Sequence, residues 1–115
     1  MTVLNNFLFF DEQNTAAESN EFVNISGELL TIQVAAASGK TFELEVEGKT
    51  DINMGYETLL GVATSNVTGS MSAVSTIDAN GIYVYDISGI SVVKVKINSV
   101  TDGANLRVFG RCTGW

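Results

Sequence analysis

The sequence predicts an all-β fold, an antiparallel β-sandwich of jelly-roll or Ig-like type with about eight or nine strands. Three observations carry this reading. Apolar and polar residues alternate with period two through the longer runs, turn signals recur roughly every 8–12 residues, and no segment shows a convincing helical period. In chain order, Val3 to Phe10 is apolar with two asparagines inside, and Asp11 to Asn20 is polar. We read a first strand or arm, then a loop. Glu21-Phe-Val-Asn-Ile25 is a short strand and Ser26-Gly27 a turn. Leu29 to Ala36 is a strand in which Leu30, Ile32 and Val34 oppose Thr31 and Gln33. Ala37-Ser-Gly-Lys40 then reads as a hairpin turn.

Thr41 to Gly48 has the clearest alternation, with Phe42, Leu44 and Val46 inward and Glu43, Glu45 and Glu47 outward. Residues 48–58 form a polar loop and Leu59 to Ala63 a short strand. Ser65 to Ser75, rich in Ser, Thr and Gly, is a weak strand or a loop. Asp78-Ala-Asn-Gly81 is a turn. Gly81 to Asp86 is a strand, and Val93, Val95 and Ile97 alternate with Lys94 and Lys96 in the next. The Asp102-Gly103 pair is a hairpin signal. Asn105 to Arg111 is the last strand.

The 115 residues fit one domain, 1–115, in which 1–20 could form an N-terminal arm and loop. Hydrophobic residues make up 45% and charged residues 17%, which excludes intrinsic disorder. Histidine is absent and Cys112 is the single cysteine, so His-based triads and Cys/His zinc sites are excluded, and no internal disulfide can form. Residues 1–10 lack the basic start and apolar length of a signal peptide, and no run approaches the about 20 apolar residues of a membrane span. The expectation is a soluble chain that the ordinary route does not export. Asn24-Ile-Ser and Asn66-Val-Thr match the glycosylation pattern by chance in that setting. A net charge of −7 argues against nucleic acid as a partner. Residues 1–57 hold ten of the thirteen acids and two of the six bases, a net of −8, and the remainder carries +1. Either the two regions occupy different surfaces and favour head-to-tail packing, or their strands interleave and mix the charges. The second is the more economical expectation. Proline is absent, so edge strands lack a simple guard against pairing and could be covered by a neighbouring subunit.

Few residues converge for chemistry. Asp51, Asn53, Asp78, Asp86 and Asp102 sit beside glycines or at strand ends, where they serve turns. Asp51-Ile-Asn53 has the spacing of part of a calcium loop but lacks the glycine and downstream glutamate in register. No metal, cofactor or catalytic residue is expected. The glutamates of 43–47 lie roughly 6.6–7 Å apart along one face and would splay into water rather than converge. Opposite Lys94 and Lys96 they would form favourable cross-strand pairs, if those strands are neighbours. Exposed aromatics would suit a sugar-binding module. Tyr56, Tyr83 and Tyr85 are the ligand candidates, with the last two more often core or rim than a ligand platform. Trp115 and the Phe7-Leu8-Phe9-Phe10 run are the partner-binding candidates. That run is either an arm reaching a partner or a first strand buried in its own sheet.

The Gly81-Ile-Tyr strand, the Asp86-Ile-Ser-Gly89 turn, the Val93-Lys-Val-Lys-Ile97 strand and the terminal Val108-Phe-Gly-Arg111 strand resemble small β-sandwich virion proteins of tailed bacteriophages. The resemblance spans residues 26–111 and is strongest from Thr76 to Arg111. It implies a head-decoration (cement) protein or a tail-fibre accessory domain, and offers no catalytic residues to carry over. The expected function is therefore a non-catalytic capsid decoration protein that binds and stabilises the assembled head; a carbohydrate-binding or tail accessory module is the alternative. The expected partner is the major capsid protein or another virion protein. The expected state is a homo-oligomer such as a trimer, located in the virion after synthesis in the bacterial host cytoplasm, with no nucleic acid or membrane partner.

Overall fold

Alternation dictates a layer with one wet and one dry face, and two such layers close on each other by burying the dry faces. The computed structural model describes residues 2–64 and 73–114. These form β1 (Thr2–Gln13), β2 (Ala17–Glu18), β3 (Phe22–Val23), β4 (Leu29–Ala35), β5 (Phe42–Lys49), β6 (Glu57–Thr58), β7 (Gly61–Ala63), β8 (Ala73–Val74), β9 (Gly81–Asp86), β10 (Val92–Val100) and β11 (Leu106–Gly114). All pairings are antiparallel. One sheet has the order β1-β11-β4-β9-β7-β8, and the other β2-β10-β5-β6 with β3 also on β10. The eleven strands among the described residues exceed the expected eight or nine because four of them are two-residue ladders, too short to leave a period in the sequence. No helix among the described residues is long and apolar enough to cross a membrane.

The core lies between the sheets. Leu30, Ile32 and Val34 of β4, Phe42, Leu44 and Val46 of β5 and Val93, Val95 and Ile97 of β10 are all buried, which matches the alternation read for those three strands. Ile77 and Ile87 join them from the flanking loops, and Leu106 and Val108 from β11.

Two turns read as hairpins are not hairpins. Ala37-Ser-Gly-Lys40 joins β4 to β5, and Thr101 to Asn105 joins β10 to β11, and in each case the two strands belong to opposite sheets. The backbone turns as expected: Gly39 has φ 78°, Gly103 has φ 83°, and Ala104 N donates to Thr101 O at 3.1 Å. A tight turn fixes a change of direction, and burial on both flanks decides that the chain crosses the core instead of folding back within one sheet.

Candidate functional site

The N-terminal run is β1, paired with β11 from Thr2↔Gly114 to Gln13↔Leu106. Of the two alternatives read for the Phe7–Phe10 run, the strand in its own sheet is the one present: Thr2–Gln13 forms the edge of the six-stranded sheet, while Ala17–Glu18 pairs with β10 in the other. The register slips at Leu8/Phe10, so Phe9 is an extra residue and both Phe9 and Phe10 turn inward. A Cβ on Gly110 would lie 2.7 Å from the Phe9 ring, so only glycine on β11 leaves room for it. Phe7 is half-buried, with its ring 4.8 Å from Phe9 and 5.8 Å, edge-on, from Phe22. Of the four residues of this run among the five proposed to meet a partner, only Leu8 faces water. Trp115 lies outside the described residues.

Tyr83 and Tyr85 point into the core, so neither offers a ring face for a sugar. The Tyr83 hydroxyl donates to Ala79 O at 2.7 Å, whereas the Tyr85 hydroxyl is buried and has no partner among the described residues. Burial pushes both phenols above their ordinary pKa.

Tyr56 is the third ligand candidate, and its ring is already occupied. Lys94 Nζ sits 4.1 Å and Lys49 Nζ 4.5 Å from the ring centroid. Its hydroxyl donates to Glu21 Oε2. The Lys94 ammonium also pairs with Glu18 and lies 4.0 Å from Glu47. β5 and β10 are indeed neighbours, with Lys94 opposite Glu47 and Lys96 opposite Glu45, so the pairing expected of the glutamate row is present. Lys94 lowers the Glu18 pKa; burial and the Glu45 charge raise that of Glu47 despite Lys94. These groups neutralise one another, and nothing in the arrangement leaves an acid and a base facing a shared space. Asp51 Oδ1 accepts from Asn53 N at 2.8 Å, which is a turn in place of a cation loop. No group of three metal-ligating side chains occurs among the described residues.

Two surfaces stand out that sequence reasoning missed. At one end of the sandwich, Ile25 is 94% exposed and Val23 65%; with Leu4 they rim a recess of about 250 Å³ over Phe22 and the buried Cys112. Asn24 causes this. Its Nδ2 donates to the carbonyls of Gly27, Ile87 and Ile90 at 2.9–3.2 Å, and its Oδ1 accepts Gly27 N at 2.7 Å. With Asn24 held inward, Val23 and Ile25 on either side are turned out. A Cβ on Gly27 would collide with Cys112 Sγ, which keeps this loop pressed on the thiol. The second surface is the outer face of the six-stranded sheet, where Leu8, Phe109, Gln33 and Ile82 stand opposite one another across β1, β11, β4 and β9. An alternating strand with apolar residues in both rows, as in Ile82-Tyr-Val-Tyr85, gives no sign of which row is dry.

Comparison with known proteins finds a family model, described as XepA, that matches residues 4–112. No curated protein matches. The SPBc2 prophage-derived protein YomS is similar in structure, with a TM-score of 0.82 and 22% identity over 96% of this chain and 92% of YomS. The PBSX exported protein XepA has a TM-score of 0.83 and 20% identity over 96% of this chain and 37% of its own length, so this chain spans little over a third of it. At these identities the likeness is one of fold.

Proposed function

This chain belongs to the XepA family, and from that premise we propose that it is a non-catalytic structural protein of a phage particle, a decoration protein that binds and stabilises the assembled head. The observation that carries this reading is the exposed apolar end formed by Leu4, Val23 and Ile25. Branched aliphatic side chains held in water by a hydrogen-bonded loop mark a surface that a partner covers. The partner is the major capsid protein or another virion protein, and the protein acts as a homo-oligomer. Repetition of one weak contact over many copies turns modest affinity into stable attachment. PBSX XepA is described as an exported protein, which favours a role on a released particle. The neutralised ion cluster around Lys94 supports a role without catalysis.

The test is to follow the protein in particles purified from an induced lysogen, with an antibody against the intact chain. Co-sedimentation with heads at a fixed copy number supports the proposal. Recovery only from the particle-free fraction overturns it.

A further inference from the structure

We propose that the outer face of the six-stranded sheet, centred on Phe109, binds an acidic saccharide. Outward residues on β11 run Arg107, Phe109, Arg111, so an aromatic ring stands between two guanidinium groups roughly 7 Å away along the strand. Phe109 is 40% exposed and Ile82, two strands across, is 38% exposed. Thr31, Gln33, Ile82, Phe109 and Arg111 line a shallow hollow of about 240 Å³. That is below the about 300–1,000 Å³ of drug-sized sites and suits a single ring. The C–H-bearing face of a pyranose packs on the electron-rich face of an aromatic ring, while its hydroxyls need planar donors and acceptors at the edge. Gln33, opposite Phe109, and Thr31, opposite Arg111, line the same hollow and offer an amide and a hydroxyl. The floor is rigid because β11, β4 and β9 are paired in continuous register beneath it.

The charge requirement comes from the arginines. Arg107 Nε donates to Asp11 Oδ1 at 2.8 Å, so its charge is met within the chain. Arg111 Nε donates to the neutral Asn6 Oδ1 at 3.1 Å, and among the described residues it has no carboxylate partner. An uncompensated guanidinium beside a stacking platform selects a ligand with an anionic group on its ring, which it can hold by paired hydrogen bonds. An extended peptide would add at a sheet edge, whereas this face is the middle of a paired sheet. Nucleic acid would need more cations than two arginines in a chain of net charge −7. The inference does not depend on what covers Ile25.

The test uses the intact chain, isotope-labelled, with oligogalacturonate and the uncharged galactobiose as probes at millimolar concentration. Backbone signals of Gln33, Ile82, Phe109 and Arg111 should shift with the acidic saccharide and far less with the neutral one. Phe109→Ala should weaken binding about tenfold or more, and Arg111→Gln should remove the preference for the acidic probe. Ile25→Asp should leave the titration unchanged, which separates this site from the proposed virion contact. The proposal is overturned by shifts that survive Phe109→Ala, by the absence of shifts on this face, or by shifts with an acidic peptide and not with either saccharide.

Discussion

Tyr83 and Tyr85 lie two residues apart on one row of β9, and the core treats their hydroxyls differently. Tyr83 donates to Ala79 O, while Tyr85 reaches no partner among the described residues. Removing a bonded hydroxyl loses its net contribution, whereas removing an unbonded buried one relieves a desolvation cost. Tyr83→Phe should therefore destabilise the fold by about 1 kcal/mol and Tyr85→Phe should stabilise it by about 1 kcal/mol, read from urea midpoints at constant m-value. Two outcomes of the same sign would contradict this account. Asn24 is the other residue whose role is local: one amide serves three carbonyls and one N–H. Asn24→Ala should cost about 2–3 kcal/mol, since it orphans several part-buried backbone groups at once. In the sequence, Asn24 reads only as a strand residue within a chance glycosylation pattern. Nothing in its neighbours announces that two of its partners, Ile87 O and Ile90 O, lie more than sixty residues away.

At the scale of elements, β1 shows what alternation alone cannot decide. Phe7-Leu-Phe-Phe10 has no period of two because a bulge puts Phe9 and Phe10 on the same side, and the same run would suit a docking arm. Burial settles the matter. Truncating a buried Phe costs about 3–5 kcal/mol, so losing two approaches the whole stability of a small domain. Deletion of residues 1–10 should abolish the cooperative unfolding transition; a folded product that merely loses its partner would restore the arm. By contrast β4, β5 and β10 were legible, since each confines its apolar residues to one row and its neighbours follow the same rule. Their partners across the core were not, because a turn such as Asp102-Gly103 has the same backbone whether it closes a hairpin or spans two sheets. The β5–β10 pair also sets a pH dependence. The Glu47 pKa is raised by burial and by Glu45, so Glu47 contributes stability when protonated, and this is lost as pH rises through its folded-state pKa. Glu18, lowered by Lys94, acts with the opposite sign: its contribution is present above its unfolded pKa and lost as pH falls. Glu47→Gln should therefore remove the Glu47 component, raising stability near pH 7 relative to roughly pH 4 when compared with the parent. Denaturant midpoints of both proteins at the two pH values measure it, and an unchanged difference between those pH values would refute the assignment.

Across the whole molecule, the acidic first half and mildly basic second half do not become opposite surfaces. Folding sets Glu45 and Glu47 of β5 against Lys96 and Lys94 of β10 on one sheet face, so much of the charge cancels where it stands. Head-to-tail attraction between halves thus loses its basis, and any contact between copies or with a capsid must draw on surfaces of another kind. The apolar end around Ile25 is such a surface, and its exposure makes it separable from folding. A side chain already 94% in water contributes little to stability, so Ile25→Asp should shift the unfolding free energy by no more than about 0.5 kcal/mol. The same change places a charge at the centre of an apolar contact, where desolvating it without a partner is costly. We therefore expect the variant to unfold like the parent, yet to fail to co-sediment with heads. If it bound heads as the parent does, the exposed end would not be the docking surface. If it unfolded early, the Asn24 loop would be carrying structural strain through Ile25, and the isoleucine would belong to the fold instead of to the contact.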